Sequence, residues 1–420
     1  MSLKPNDYMP RLIDKKIEGL LQVSGAISIE GPKWCGKTFT SLNHASSVIN
    51  MDDEETRSRF MLNPELVLNE SKPELIDEWT REPTVWDKIR RKCDVLETKG
   101  NYILSCSTSL LDENKIFHSG AGRISRLKMN TMSLFESNDS SGDISIMDMY
   151  EGREIVKTVR KISLEDLANL IIRGGWPANI NVAKDKCGLM PKYYINSILE
   201  KYIYESKNVD SVKMQKLLKS LARNESTVVS NNKLIKDISD NDDLNIDKRT
   251  VSDYIEILEK LNLFSNQLSY STNYRSPERV GKNVKRHFTD PSLAAALLNM
   301  NANKLIADLK TFGFLFEALV ERDLKIYMDY LDGNLYHFRD NVTGLEVDSI
   351  LEFSDGEYAA VEIKLGFNQF KEACESLLKF QDNVTKKPKF MCVICGYNEN
   401  IVKDPETGIY IVPITALKPE

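Results

Sequence analysis

The sequence lacks any apolar run of the roughly 20 residues that a membrane-spanning helix needs. Its start, Met1 to Asp7, also lacks the apolar core of a secretory signal peptide. There is no excess of positive charge either, since the 420 residues carry a net charge of −6. We therefore expect a cytoplasmic protein without a membrane partner. Any contact with nucleic acid must come from a local basic patch.

Cysteine is scarce and scattered. An odd set of seven cysteines fits reduced thiols better than a disulfide framework. Cys392 and Cys395 have the C-x-x-C spacing of a zinc ligand pair, but they lie in an apolar run and the chain has no second such pair. We interpret them as core residues of a strand.

The strongest positive feature is a glycine loop of the form G-x-x-x-x-G-K-T between an apolar strand at 25–30 and a run that can start a helix at residue 38. Backbone N–H groups of such a loop cradle phosphate oxygens, its lysine neutralises β/γ-phosphate charge, and its threonine hydroxyl reaches Mg²⁺. A surface turn is the alternative. The predicted nucleotide-binding residues are Gly31, Pro32, Lys33, Trp34, Cys35, Gly36, Lys37 and Thr38.

Two adjacent carboxylates follow a short apolar strand about forty residues after this loop. We predict that Asp77 holds Mg²⁺ together with Thr38, through water in the case of Asp77. Glu78 would act as the catalytic carboxylate that polarises the attacking water. The alternative is a charged turn after a strand.

Two later segments offer further groups for a phosphate site. A strand predicted at 101–108 ends in Ser105 and Ser107, either of which could sense the γ-phosphate or merely end the strand. A glycine-rich tip carries Arg123 and Arg126 ahead of a strand-like run at 127–134. Arg123 is our candidate for neutralising transition-state charge, in its own subunit or in a neighbouring one. The alternative is two surface arginines.

The last third of the sequence contains a second group of candidate catalytic residues. Helical and strand patterns alternate in the order helix (312–322), three strands (334–339, 345–353 and 357–365), helix (369–380) and strand (389–395). This order is that of restriction-endonuclease-like folds. These folds place an acidic residue on the second strand and E-x-K on the third.

In this sequence the acidic residue is Asp348, and the E-x-K residues are Glu362 and Lys364. Asp348 and Glu362 would hold Mg²⁺, Lys364 would orient the water, and Glu317 on the preceding helix would complete the metal site. A hairpin whose charges merely face outward on alternate positions is the alternative.

The middle of the chain is predicted to be mostly helical, with helices near 193–204, 213–223, 231–238 and 247–262 and a strand at 263–270. Short helices followed by a strand hairpin suggest a winged helix-turn-helix. Lys248 and Arg249 could meet phosphates, but the same helix carries four acidic residues. DNA binding and protein packing stay equal alternatives for this segment.

Five segments together resemble a known family: 8–14, 31–38, 75–79, 118–124 and 174–177. They look like the prokaryotic AAA-type ATPases whose carboxy-terminal half is a domain of unknown function, DUF4143. The resemblance implies an ATP-binding domain of the AAA-like fold, with ATP and Mg²⁺ as its cofactors. The sensor strand of this family often ends in Thr-Gly-Ser, whereas here it ends in Ser105-Cys106-Ser107.

The sequence thus predicts an α/β protein of several domains: an AAA-like ATPase domain at 1–185, a helical or winged-helix linker at 186–285 and a restriction-endonuclease-like domain at 286–420. Three functions follow from this organisation. The ATPase could regulate a metal-dependent nuclease, carry a non-catalytic docking domain, or serve as a nucleotide-gated switch. DNA, a protein partner and further copies of the chain are the candidate partners besides ATP.

Overall fold

The computed structural model describes residues 3–96, 98–106, 119–205, 209–239, 246–273, 275–276, 279, 284–340 and 342–420. Within it the chain forms two compact units. Unit 1 comprises residues 1–131 and 257–263, and unit 2 comprises residues 132–256 and 264–420. The three-domain division stays a prediction. No helix in the described ranges is long and apolar enough to cross a membrane.

Unit 1 alternates helices and strands. Its elements are α1 (Ile13–Val23), β1 (Ala26–Glu30), α2 (Lys37–His44), β2 (Ser47–Asn50), α3 (Glu54–Leu62), β3 (Glu74–Asp77), α4 (Thr84–Leu96), β4 (Tyr102–Cys106) and β5 (Ile124–Lys128). The strand predicted at 127–134 therefore begins earlier and is shorter. One reason is that the Asn130 and Thr131 carbonyl oxygens accept hydrogen bonds from the Arg11 guanidinium, at 2.9 and 3.1 Å, instead of continuing a strand ladder.

The five strands of unit 1 form one parallel sheet in the order β2-β3-β4-β1-β5. Alternate residues of the central strands enter separate cores: Ile27 and Ile29 pack with Ile17 of α1, whereas Tyr102 and Leu104 pack with a second group. Both faces are thus covered, as a parallel sheet requires. Because β4 lies between β1 and β3, the ends of all three strands meet at one edge.

Unit 2 has more elements. In chain order they are β6 (Ile144–Ser145), α5 (Ile146–Tyr150), β7 (Val156–Thr158), α6 (Leu164–Arg173), α7 (Leu189–Glu205), α8 (Ser211–Arg223), α9 (Asn231–Ser239), α10 (Lys248–Lys260, whose last residues belong to unit 1), β8 (Phe264–Gln267), β9 (Lys285–Phe288), α11 (Pro291–Leu297), α12 (Ala302–Ala307), α13 (Leu309–Tyr330), β10 (Asn334–Arg339), β11 (Glu346–Glu352), β12 (Tyr358–Gly366), α14 (Phe370–Asn383), β13 (Phe390–Tyr397), β14 (Asn400–Lys403), β15 (Tyr410–Pro413) and β16 (Leu417–Lys418).

A seven-stranded mixed sheet in the order β10-β11-β12-β13-β15-β14-β7 organises unit 2. β10, β11 and β12 are antiparallel, β13 and β15 run parallel to β12, and β14 and β7 complete the edge in antiparallel fashion. The predicted order of helix, three strands, helix and strand is present as α13, β10, β11, β12, α14 and β13. β7 and β6, by contrast, come from residues upstream of 160, and β6 pairs with β16.

The four helices predicted in the middle of the chain are present as α7, α8, α9 and α10, followed by the antiparallel hairpin β8–β9. Arg249 is solvent-exposed, and its Nε atom lies 4.0 Å from Oδ2 of Asp253 on the same helix. The winged-helix interpretation stays a prediction. Cys392 and Cys395 are buried on β13 with free thiols, as expected of core residues.

A buried ionic network joins three parts of unit 2. The Arg322 guanidinium on α13 donates to Asp323 at 2.7 Å and to Asp290 at 3.1 Å. The Gly175 N–H donates at 2.9 Å to Asp290 Oδ2, the oxygen that also accepts from Arg322. Gly174 has a left-handed backbone, with φ 67°. The Gly-Gly-Trp-Pro segment therefore fixes the chain against α11 and α13.

Gly175→Ala should destabilise unit 2 by about 3 kcal/mol. An added Cβ would lie 2.0 Å from the Met132 carbonyl oxygen, and backbone cannot turn aside as a flexible side chain can. Gly313→Ala is the matched control, because a Cβ there meets nothing within 4 Å in helix α13 and should stabilise by roughly 0.5–1 kcal/mol. Thermal unfolding of the two variants checks this. Equal midpoints would contradict the packing argument.

Candidate functional site

The phosphate loop, residues 31–38, connects the carboxyl end of β1 to the start of α2. Trp34 and Gly36 have left-handed backbone, with φ 67° and 105°, a geometry that can turn N–H groups toward a common anion. Gly31 has no room for a side chain, since a Cβ would lie 2.2 Å from the Met129 carbonyl oxygen. The backbone here is therefore suited to an anion at a helix start.

Lys37 is buried within this loop, with 6% of its surface exposed. Its ammonium donates to the carbonyl oxygens of Gly31 at 3.0 Å and Pro32 at 2.8 Å. Hydrogen bonds between charged partners are stronger than those to neutral carbonyls. The ammonium is thus pre-positioned to exchange these carbonyls for phosphate oxygens.

Three polar side chains meet where β3, β4 and α2 come together. The Thr38 hydroxyl donates to Asp77 Oδ2 at 3.1 Å, and the Ser105 hydroxyl donates to Asp77 Oδ1. Asp77 and Ser105 are direct neighbours in the register of β3 and β4. Hydroxyl and carboxylate oxygens suit Mg²⁺, so these residues fit a magnesium–nucleotide complex. Ser107 lies outside the described residues.

Glu78 follows Asp77 directly and has a left-handed backbone, with φ 52° and ψ 39°. This region is uncommon for a residue with a side chain, and such strain recurs at functional sites. The Glu78 N–H donates to Asp77 Oδ1 at 3.2 Å, so the two carboxylates belong to one tight turn. Glu78 is half-buried at the same edge of the sheet as the phosphate loop.

Arg11 supports the phosphate loop from behind, a role that the loop motif itself did not indicate. Its buried guanidinium donates to the Cys35 carbonyl oxygen at 2.8 Å and also holds Asn130 and Thr131. The only signal in the sequence was that Arg11 lies in one of the segments that carry the family resemblance. Because Arg11 binds backbone, it can set the position of the loop.

Arg123 lies far from the phosphate loop of its own subunit. Ile124 pairs with Ala26 at the start of β1, so Arg123 is at the opposite end of the sheet, roughly 16 Å away at the usual rise of a strand. Its Nε donates to Asp94 at 2.6 Å. Arg126 lies closer, with Nη1 3.8 Å from Glu30 Oε1 and its guanidinium over Trp86. The role of Arg123 at a phosphate stays a prediction.

In unit 2, the second predicted group of residues converges. Lys364 Nζ lies 2.6 Å from Glu362 Oε2 and 3.2 Å from Asp348 Oδ2. The Ile363 N–H donates to Asp348 at 2.8 Å, and the Ser376 hydroxyl of α14 donates to Glu362 at 2.9 Å. Asp348, Glu362 and Lys364 therefore share one face at the β11–β12 pair, rather than spreading over an exposed hairpin.

The carboxylates at this site affect one another. Burial, and next the Asp348 charge, raise the pKa of Glu362 well above its ordinary value. Burial alone would lower the pKa of Lys364, but Asp348 and Glu362 outweigh it and the pKa is raised. The two carboxyl groups therefore favour the charged form of Lys364.

Glu317 lies near Asp348, but its partner is a different lysine. Its carboxylate contacts the ammonium of Lys285 on β9, which also lies 2.9 Å from Glu321 Oε1. His287, two residues along β9, lies 2.8 Å from Glu321 Oε2 and 3.2 Å from Glu225. We call Glu317, Glu321, Asp348 and Glu362 the acidic cluster.

Sequence reasoning missed Lys285, His287 and Glu321. The one signal for Glu321 was its i,i+4 spacing from Glu317 on an otherwise apolar helix. Burial would lower the pKa of His287, but Glu321 and Glu225 outweigh it and raise the pKa to about 9. Burial raises the pKa of Glu317 above its ordinary value, against the opposing charge of Lys285.

The residues predicted as metal ligands in unit 2 lie beside two lysine ammonium groups. Among the described residues, no group of three or more His, Cys, Asp or Glu side chains has the arrangement to hold a metal ion. The assignment of Glu317, Asp348 and Glu362 as metal ligands stays a prediction. Lys285 contacts the Glu317 carboxylate, and Lys364 contacts the carboxylates of Asp348 and Glu362.

Three protein families match successive parts of the sequence. An AAA domain family (AAA_14) matches residues 24–138, a domain of unknown function (DUF8612) matches residues 164–304, and a second domain of unknown function (DUF4143) matches residues 312–417. No curated protein matches the sequence.

Solved structures that match this chain include a Walker-type ATPase of Pyrococcus abyssi. It is 12% identical, with a TM-score of 0.45, over 71% of this chain and 98% of that one. Another is a signal transduction ATPase with numerous domains and a tetratricopeptide repeat sensor, from Pyrococcus horikoshii. It is also 12% identical, with a TM-score of 0.26, over 79% of this chain and 54% of that one.

Proposed function

Because the chain belongs to the AAA-type ATPases that carry a carboxy-terminal DUF4143 domain, we propose that it binds ATP with Mg²⁺ in unit 1 and hydrolyses it. The observation that carries this proposal is the meeting of Thr38, Asp77 and Ser105 beside the phosphate loop and its buried Lys37. The loop backbone, the ammonium of Lys37 and the oxygen atoms that suit a metal ion thus lie at one edge of the same sheet. Phosphoryl transfer requires these groups together.

Each residue of this edge has a distinct role. The loop N–H groups and Lys37 would bind the phosphates, and Thr38 and Asp77 would hold Mg²⁺, which would neutralise charge on the phosphate oxygens. Glu78 orients and polarises the attacking water from the turn after β3. Ser105 holds the Asp77 carboxylate in place, so it is a positioning residue.

Arg123 would complete this site only in an assembly. Its position at the far end of the sheet, beside Asp94, supports a role in trans rather than in cis. A homo-oligomer in which Arg123 of one subunit faces the phosphate loop of the next is therefore part of the proposal.

Arg123→Ala should lower ATPase activity by about 1,000-fold, the lower end of the effect of an arginine finger. Because the arginine and the loop would come from different subunits, mixing Arg123→Ala with Lys37→Ala should restore part of the activity. ATP turnover is measured across protein concentrations, with Lys88→Ala, an exposed cation of α4, as control. Turnover per subunit that is flat with concentration, and no recovery on mixing, would contradict a role in trans.

For unit 2, we propose a restriction-endonuclease-like arrangement for α13, β10–β13 and α14, with a winged helix formed from the middle helices and β8–β9. The shared face of Asp348, Glu362 and Lys364 supports the first part. ATP turnover would then regulate an activity on nucleic acid, with DNA as the candidate partner. Alternatively, the domain is a non-catalytic module of a nucleotide-gated regulator that docks DNA or protein. Neutralisation of the cluster by two lysines favours this alternative.

One assay tests both levels of the proposal. The full chain is given ATP with Mg²⁺, Mn²⁺ or EDTA, and phosphate release is followed. Supercoiled, linear and single-stranded DNA are then added with and without ATP, and strand scission is followed. Absence of divalent-dependent phosphate release would overturn the ATPase. Phosphate release without scission would support the non-catalytic alternative.

A further inference from the structure

Lys285 reaches the acidic cluster from outside the DUF4143 residues. It lies on β9, in the range 164–304 that matches the other domain of unknown function. Three of its cluster partners, Glu317, Glu321 and Asp348, lie within 312–417. All of these residues belong to unit 2. A lysine from the region that matches one family therefore lies among the carboxylates of the region that matches the other.

The surroundings of the Lys285 ammonium consist of oxygen atoms. It contacts the Glu317 carboxylate, lies 2.9 Å from Glu321 Oε1 and donates to the Asp348 carbonyl oxygen at 3.3 Å. Two carboxylates and one backbone carbonyl are the donor types that hard divalent cations prefer. An ammonium has three donors, so Lys285 can satisfy all three oxygens.

The spacings of β9 and α13 make this contact specific. Lys285 and His287 are two residues apart on a strand and point to one face, about 6.6 Å apart. Glu317 and Glu321 are four residues apart on a helix and share one face, about 6 Å apart. The spacing of the two basic residues on the strand therefore matches that of the two glutamates on the helix. Lys285 contacts Glu317 and Glu321, and His287 contacts Glu321. The register of the β8–β9 pair, in which Gln267 lies opposite Lys285, fixes the position of Lys285 along the strand.

Lys285 is also well protected. Its residue surface is 6% exposed, and that of Glu321 is 3% exposed. Burying an unpaired carboxylate is costly, so a cation beside these two glutamates stabilises the folded state. A tethered lysine supplies that cation without depending on metal concentration.

We propose that Lys285 is the resident cation of the acidic cluster. Its ammonium takes the place between Glu317, Glu321 and the Asp348 carbonyl oxygen that a divalent cation would otherwise occupy, and the cluster binds such a cation only when this charge is removed. The proposal concerns unit 2 alone and does not depend on ATP hydrolysis.

The test removes the charge and asks whether a metal replaces it. Full-length Lys285→Met and Lys285→Gln are compared with the unmodified chain, without nucleotide, in EDTA and in Mn²⁺. Both variants should melt at a lower temperature in EDTA, and Mn²⁺ should raise their melting temperature by about 5 °C. The unmodified chain should show no such shift, and all three should retain the same ATPase rate.

The position of the metal is read from crystals soaked in Mn²⁺. An anomalous peak should appear between Glu317, Glu321 and the Asp348 carbonyl oxygen in either variant, and be absent from the unmodified protein. Lys285→Met combined with Glu317→Gln is the control, because it removes a ligand together with the cation. It should lose both the peak and the thermal shift.

Two results would overturn the proposal. One is a Mn²⁺ peak at these three oxygens in the unmodified protein, because Lys285 would then not exclude the metal. The other is a folded Lys285→Met or Lys285→Gln protein with neither peak nor shift, because the cluster would then not be a cation site. If neither variant folds, the soak of the unmodified protein still decides the first point.

Discussion

Lys37→Ala should weaken ATP binding by about 100-fold and leave no measurable ATPase activity. The ammonium is buried within the loop and is held 2.8 and 3.0 Å from two loop carbonyl oxygens, so no solvent cation can take its place with the same geometry. Arg123 is too far along the sheet to compensate within the subunit. Calorimetric titration with ATP and Mg²⁺ measures the affinity.

A fold control accompanies this titration. Lys88→Ala removes the same side chain from the exposed surface of α4 in unit 1 and should bind ATP normally. Affinity of Lys37→Ala equal to that of Lys88→Ala would rule out the phosphate loop as the nucleotide site. Loss of affinity in both variants would mean that unit 1 had lost its fold.

Glu78→Gln should bind ATP as tightly as the unmodified protein and hydrolyse it about 100- to 1,000-fold more slowly. Glutamine keeps the shape of the side chain, and the turn with Asp77 depends on the backbone N–H of residue 78, so the proposed metal-binding edge is preserved. Only the carboxylate that we propose polarises the attacking water is lost. Single-turnover hydrolysis separates this effect from product release.

Glu82→Gln is the matched control for Glu78. It lies in the segment that follows the same turn, and its carboxylate accepts a hydrogen bond from the N–H of Thr84 at 3.4 Å at the start of α4. Glutamine keeps an oxygen for that contact, so turnover should be unaffected. A normal rate in Glu78→Gln would assign water activation to another residue.

Local patterns made part of this protein predictable. The phosphate loop is contiguous, so its geometry follows from eight residues and the strand and helix that flank them. Asp348, Glu362 and Lys364 could be placed together because they lie on successive strands whose side chains alternate with period two. Both predictions needed only neighbouring elements and a short turn between them.

The remaining features depend on pairing between distant parts of the chain. Lys285 of β9 meets Glu317 of α13 through a contact between distant parts of the chain, and nothing in the residues around Lys285 encodes that partner. The need for glycine at residue 175 was equally unpredictable. The atom next to Gly175 is the backbone carbonyl oxygen of Met132, and a backbone atom leaves no pattern in the sequence. The predicted end of strand β5 was wrong for a similar reason, because the distant Arg11 donates hydrogen bonds to the backbone that follows the strand.

The edge of the unit 2 sheet limits how this protein can be divided. β7, residues 156–158, covers β14, and β6, residues 144–145, pairs with the final strand β16. A fragment that begins at residue 286 would leave β14 with an open row of backbone donors and acceptors, which invites pairing with other chains. Residues 144–158, which precede the middle helices, therefore complete the pairing of β14 and β16, and gene fusions or truncations must keep them.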